Sequence, residues 1–242
     1  FGPAAFPQPL LGSELRERVR RVVSKAFKLL FGNQLVSDDM PLQVGDGDRD
    51  ILVTIVFVSF SVVTWGDAAR GGDCSAVADR LAAGVSSFTG NRFAFAALKD
   101  AGEVVTWGLA EYGGDCSVVG NHLATGVISI TGNEGAFAAL KDTGEVVTWG
   151  DADYGGVCSS VADRLAAGVS SITGNGSAFA ALKNAGKVVT WGLAERGGDC
   201  SAVADRLAAG IISITGTASA FAALKDTGEV VTWGHAYSGG DC

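Results

Sequence analysis

The chain predicts a mainly β fold, a tandem array of three-stranded repeats with a short helix in each, preceded by a small α+β segment. Three observations predict it. Five tryptophans stand at 65, 107, 149, 191 and 233, a spacing of 42 residues without insertion or deletion. The five cysteines at 74, 116, 158, 200 and 242 keep that spacing, as do Phe95, Phe137, Phe179 and Phe221. Glycine is abundant, 35 in 242 residues, and the 48% hydrophobic content suits many short strands separated by tight turns. A fixed period of this size means one supersecondary unit copied in tandem, each copy burying its apolar face against the next. A β-propeller, closed or partial and open, satisfies this, as does an open solenoid; a one-pocket enzyme fits poorly.

Taken in order, residues 1–11 hold three of the four prolines and are expected to form an extended leader. Ser13 is a suitable helix N-cap, with Glu14 and Glu17 where the helix dipole favours acids. Leu15, Val19, Val22 and Val23 fall on one helical face, and Arg16, Arg18, Arg20 and Arg21 cover the rest. Those arginines read as the solvated face of a helix packed on a small sheet rather than as a membrane or nucleic-acid contact. The uncharged run from Ile51 to Trp65 has 15 residues, short of the roughly 20 that span a bilayer. Its β-branched composition is expected to form a buried strand running into the repeats.

The stretch Ala26-Phe-Lys-Leu-Leu-Phe-Gly-Asn-Gln-Leu-Val36, then Ser37-Asp-Asp-Met-Pro-Leu42, then Ile51-Leu-Val-Thr-Ile-Val-Phe57, resembles the second half of a ubiquitin-like domain. On that resemblance residues 12–60 form a truncated ubiquitin-like segment. It lacks the family's first hairpin and its diglycine tail, so the resemblance implies docking rather than ubiquitin transfer.

Four complete copies run 67–108, 109–150, 151–192 and 193–234 within a repeat region 61–242, with a partial fifth at 235–242. Each contains three strand candidates, as in Val169-Ser-Ser-Ile-Thr-Gly, Ala178-Phe-Ala-Ala-Leu-Lys and Val188-Val-Thr-Trp. Motifs such as Lys141-Asp-Thr-Gly-Glu145 suit a hairpin with glycine in the left-handed position. Before the first strand a helical turn is expected, capped by Asp73 or Ser75, with Val77 and Leu81 as an i, i+4 pair and Gly84 as its stop. Period-two alternation puts the second Val and the Trp of Val-Val-Thr-Trp on one face. Large rings against many alanines predict interdigitating layers, with Phe and Trp in the core.

The repeat resembles that of the regulator of chromosome condensation family. The resemblance rests on Trp149-Gly150 with Gly155-Gly156, Val169-Ser-Ser-Ile-Thr-Gly174, Ala181-Leu-Lys-Asn-Ala-Gly186 and Val188-Val-Thr-Trp-Gly192, and it recurs in every copy. It implies a β-propeller serving as an interaction platform. Ubiquitin ligases that join such repeats to a HECT catalytic domain are among the family's members. The chain departs from the family in its shorter repeat, in Gly-Asp-Cys or Gly-Val-Cys where Gln-Leu-Gly is usual, and in lacking the histidine before the second strand.

A net charge of −8 argues against a general nucleic-acid surface. Residues 1–66 balance at seven acids and seven bases, so nineteen acids against eleven bases place all the excess in the repeats. A protein partner of basic charge is the expectation, with no nucleic acid and no membrane span. Five cysteines at long spacing, with no CxxC and no Cys/His cluster, signal neither a zinc site nor a disulfide ladder. Reduced thiols suit an intracellular, cytoplasmic or nuclear setting. His122 and His235 occupy different repeat positions, so the period builds no catalytic set, and neither cofactor nor metal is expected. Gly71-Gly72 and its copies read as turn glycines rather than a phosphate loop, and the Asp at 73, 115, 199 and 241 as caps rather than calcium ligands.

Two loops vary among copies. One follows Trp-Gly and offers Arg70, Glu111, Tyr112, Asp153, Tyr154, Glu195, Arg196 and Tyr237 as candidate partner-binding residues. The other lies at 91–93, 133–135, 175–177 and 217–219. The expected function is a non-catalytic protein-interaction scaffold, the partner- or substrate-binding part of a larger protein such as a HECT-type ubiquitin ligase. The alternatives are a guanine-nucleotide exchange regulator of a small GTPase and a structural subunit of a larger assembly.

Overall fold

The structure, a computed structural model, describes residues 62–241 in full and, before them, only the backbone of five short strands. The chain divides into two compact units, residues 1–60 and 61–242. The first holds β1 (Leu10–Leu11), β2 (Phe27–Phe31), β3 (Gln34–Leu35), β4 (Pro41–Leu42) and β5 (Val53–Phe57). β1 pairs with β4, and β3-β2-β5 form an antiparallel sheet with Phe27 opposite Phe57 and Phe31 opposite Val53. The helix expected from Ser13 and most of the leader lie outside the described residues. The ubiquitin-like reading of 12–60 falls on a segment of which only these strand backbones are described.

In the second unit four antiparallel three-stranded sheets follow in tandem. They are β6 (Val85–Gly90), β7 (Ala94–Lys99) and β8 (Val104–Gly108); β9 (Val127–Gly132), β10 (Ala136–Lys141) and β11 (Val146–Gly150); β12 (Val169–Gly174), β13 (Ala178–Lys183) and β14 (Val188–Gly192); and β15 (Ile211–Gly216), β16 (Ala220–Lys225) and β17 (Val230–Gly234). Each is a meander with the central Ala-Phe-Ala-Ala-Leu-Lys strand in the middle. The glycine of the second hairpin takes the left-handed conformation that only glycine adopts without strain, as at Gly144 with φ +79°.

Alternation along each central strand creates two unlike faces. In β10, Ala136, Ala138 and Leu140 face the next copy, where they bury against Phe179, Ala181, Val189 and Trp191. Phe137, Ala139, Val147 and Trp149 face the preceding copy and meet Ala94, Ala96 and Leu98. Rings on one side and methyls on the other let the sheets approach closely and fill the space between them. Within each copy the two rings face each other across the sheet, Phe137 and Trp149 stacking with centroids 5.3 Å apart. The buried indole N–H of Trp149 donates to the Gly113 carbonyl at 3.1 Å, as Trp107, Trp191 and Trp233 do to Gly71, Gly155 and Gly197. Cys74, Cys116, Cys158 and Cys200 are free and half-buried at the edges of these clusters.

Successive copies are also tied through the backbone. The hairpin carbonyls of Gly102, Gly144 and Gly186 accept the N–H of Val127, Val169 and Ile211, which open the first strand of the next copy. A Cβ on Gly144 would lie 2.6 Å from the Gly168 nitrogen, so the hairpin glycine is needed for this approach as well as for its φ. The first strands lie side by side, with Thr131 and Thr173 Oγ1 each donating to the isoleucine carbonyl of the following copy at 3.3 Å. These sheets form a propeller-like array that is open rather than closed on itself.

The helical turn differs between copies. It is a one-turn α-helix in copies one and three, α1 (Ala78–Leu81) and α2 (Ala162–Leu165), and a 3-10 turn continued by hydrogen-bonded turns in copies two and four. In all four its leucine (81, 123, 165 or 207) is buried, and in copy one Val77 packs beside it.

The strand expected to run through Ile51 to Trp65 stops short of the tryptophan. Residues 62–65 are not a strand, and Val63 and Trp65 are 71% and 84% exposed. Twelve residues before each of the other tryptophans stands the phenylalanine that stacks on it, whereas Val53 holds that position before Trp65. Four of the five tryptophans are core, and Trp65 is surface. No helix among the described residues is long and apolar enough to cross a membrane.

Candidate interaction surface

The loop after each Trp-Gly folds as a 3-10 turn, at Ala68–Arg70, Ala110–Tyr112, Ala152–Tyr154, Ala194–Arg196 and Ala236–Ser238. Asp67 and Asp151 cap two of these, accepting the N–H two residues on, whereas Leu109, Leu193 and His235 make no such bond. A left-handed glycine closes every turn. In the first four turns a side chain there would strike the core, since a Cβ on Gly113 would sit 2.6 Å from the Phe137 ring. The carbonyl of the second glycine accepts the threonine hydroxyl of Val-Val-Thr-Trp, as Gly156 does from Thr148 at 3.0 Å. The double glycine is therefore a packing element. The aspartates that follow also close turns: Asp73, Asp115 and Asp199 accept the N–H of Ser75, Ser117 and Ser201 at 2.8 Å, and this bond holds the Asp73 carboxyl below its usual range.

The two variable loops prove to be one surface. Asn91, Asn133 and Asn175 each use the side-chain oxygen to accept N–H groups of their own loop and the amide to donate to the turn carbonyl of Tyr112, Tyr154 or Arg196, at 2.6–2.7 Å. In copy four Thr217 takes this place and donates to the Ser238 carbonyl at 3.1 Å. These pins hold the turn and the first hairpin together at one end of every sheet. Sequence reasoning missed them, although asparagine recurs on the 42-residue beat in three of the four copies.

The candidates divide by position within the turn. Third-position side chains lean along the array and form a ridge. Arg70 lies over the Phe93 ring at 5.1 Å, with Arg92 on the same ring at 5.6 Å. Phe93 packs on Tyr112 at 4.2 Å, and Tyr112 meets Tyr154 edge-on at 6.5 Å. Gly135 makes that last contact possible, since a Cβ there would lie 2.7 Å from the Tyr154 ring. Arg196 continues the ridge and donates to Ser177 Oγ at 3.3 Å, while Arg92 pairs with Glu134 at 4.0 Å. Second-position side chains, Glu111, Asp153, Glu195 and Tyr237, are exposed, Tyr237 to 98%. Phe93 belongs to the ridge and was not among the candidates; it sits where the other copies have Gly135, Ser177 and Ser219, so periodicity alone could not mark it.

At the opposite end of the sheets a glutamate bridges two basic side chains in copies one, two and four. In copy one Glu103 bridges Arg80 at 2.7 Å and Lys99 at 3.9 Å; in copy two Glu145 bridges His122 and Lys141; in copy four Glu229 bridges Arg206 and Lys225. The Arg206 guanidinium holds the Glu229 carboxyl below its usual range. Among the described residues no three His, Cys, Asp or Glu side chains gather to hold a metal ion.

Fold and surface together define a tandem-repeat β scaffold with its variable side chains aligned at one end. No family model matches the chain, and no curated protein matches it. Solved structures do. Prp20p of Saccharomyces cerevisiae, described with its binding to Gsp1p and histones, aligns with a TM-score of 0.48 at 15% identity over 73% of this chain and 55% of that one. Human WBSCR16 aligns at 0.44 and 18% identity over 83% and 66%, and the ectodomain of the Arabidopsis thaliana receptor kinase ACR4 at 0.43 and 14% over 62% and 52%. The chain thus spans roughly half to two thirds of the length of these structures.

Proposed function

We propose that the repeat unit is a non-catalytic protein-interaction scaffold whose contact surface is the ridge of Arg70, Phe93, Tyr112, Tyr154 and Arg196. It would serve as the partner-binding part of a larger protein, such as a HECT-type ubiquitin ligase. The observation that carries this reading is the pinning of both variable loops by Asn91, Asn133 and Asn175. Rings and guanidinium groups held in place lose little conformational freedom when a partner covers them, and Tyr and Arg dominate such contacts energetically. Beside the ridge, Glu111, Asp153 and Glu195 add a row of exposed acids, which with the net charge of −8 favours a basic partner.

A pull-down with the purified chain tests this. Tyr112→Ala with Tyr154→Ala should lose a partner that both the parent and a Thr143→Ala control at the far end retain. Glu111, Asp153 and Glu195 changed together to Lys should weaken capture as salt-sensitively as the parent binds. Equal retention by all variants would remove the ridge from the interface. Accelerated nucleotide release from a small GTPase would instead support the exchange reading.

A further inference from the structure

Copy three breaks the ion-pair pattern of its siblings. Where copies one and four have Arg, Lys, Asp and Glu, at 80, 99, 100 and 103 and at 206, 225, 226 and 229, copy three has Arg164, Lys183, Asn184 and Lys187. The sibling sites balance two positive against two negative charges; this one holds three positive charges and no negative one. It does so in a chain of net charge −8, where an acid-free cluster runs against the general bias. None of the three cations takes part in an ion pair among the described residues.

The cluster lines a pocket of about 400 Å³, whose walls include Ala167 and Ala185 and whose base is the fully buried Val189. Two of its cations, Arg164 and Lys183, are anchored to backbone carbonyls. Lys183 Nζ donates to the Arg164 carbonyl at 2.6 Å, and Arg164 Nη2 to the Val188 carbonyl at 3.4 Å. The corresponding bonds exist in copy one, where Lys99 Nζ reaches the Arg80 carbonyl and Arg80 Nη2 the Val104 carbonyl. There the glutamate carboxylate sits between the two cations. Copy three keeps the cations and their anchors, replaces the carboxylate by a third cation, and leaves a pocket.

We propose that this pocket is a second binding site, which takes a glutamate or aspartate carboxylate from an acidic segment of a protein partner. The incoming carboxylate would occupy the place that Glu103 and Glu229 fill from within their own copies, with the apolar base lowering the local dielectric and strengthening the attraction. This site is independent of the ridge, lies at the opposite end of the same sheets, and selects a partner of opposite charge.

The test is titration of the ¹⁵N-labelled chain with a capped pentaglutamate peptide, and separately with inorganic phosphate, at low salt. Saturable shifts should appear at the amides of Gly168, Asn184 and Lys187 and not at Gly126, Asp142 and Glu145. Lys187→Glu installs the sibling residue, so it should fold normally and bind the peptide weaker by about tenfold or more, because a like charge now faces the ligand. Raising salt from about 50 to 200 mM should weaken the parent's binding. Equal shifts in copy two, or unchanged affinity in the folded Lys187→Glu chain, would overturn the site. Saturation by phosphate with none by the peptide would overturn the peptide assignment.

Discussion

The same sheet face meets two fates in this molecule. Between copies two and three, Ala136, Ala138, Leu140 and Val146 are covered by the rings of the next copy, and Leu140 is 3% exposed. On copy four the equivalent Leu224 and Val230 are 37% and 49% exposed, although the local sequence is nearly the same. The strands form in both places, with the same register from Ala220 opposite Gly234 to Leu224 opposite Val230. Strand formation is thus local to a copy, whereas burial belongs to the junction between copies, as nearest-neighbour coupling in repeat arrays requires.

The largest break in that contrast should come from a junction ring. Trp191→Ala removes a side chain that is 3% exposed, along with its stack on Phe179 and its bond to the Gly155 carbonyl, and should cost about 3–5 kcal/mol in urea unfolding. A melt unchanged from the parent would place the ring outside the core. Next comes the direct pair. Leu140→Ala should cost about 2–5 kcal/mol, and Leu224→Ala less than about 1, because its side chain is already partly in water. Equal costs would erase the distinction between covered and open faces. The smallest effect is electrostatic. Glu229 has a folded pKa below its unfolded value, so its contribution is complete above the unfolded value and disappears as pH falls through the folded one. Glu229→Gln should therefore flatten the fall in urea midpoint between neutral and acid pH, and only slightly, since the group is at the surface.

Much of the repeat was legible because its signals are local. Alternation in Val-Val-Thr-Trp, the hairpin glycines and the double glycines each fix one element, and each is present in all four complete copies. Trp65 was misread because it carries the period without its partner; the phenylalanine that shields its siblings is Val53. The ridge was half legible. Tyr112, Tyr154, Arg70 and Arg196 stood out as variable, but their alignment depends on Asn91, Asn133 and Asn175, whose bonds cross 21 residues of sequence. Tyr237 looked equivalent to the ridge tyrosines and sits one position earlier in its turn, against His235. The pocket of copy three was visible only as the substitutions Asn184 and Lys187, and its meaning required the sibling ion pairs as a template.

The hairpin carbonyl that receives the opening amide of the next copy has a genetic corollary. Because every junction pairs the carbonyl of Gly102, Gly144 or Gly186 with the same type of donor amide, a gain or loss of 42 residues, or of an 84-residue pair as Asp67, Leu109, Asp151 and Leu193 suggest, recreates a junction that already works. A length change inside a strand would instead shift the alternation that sets rings against methyls. Whole copies are thus interchangeable at their joints, while single side chains such as Phe93 and Lys187 differ between them.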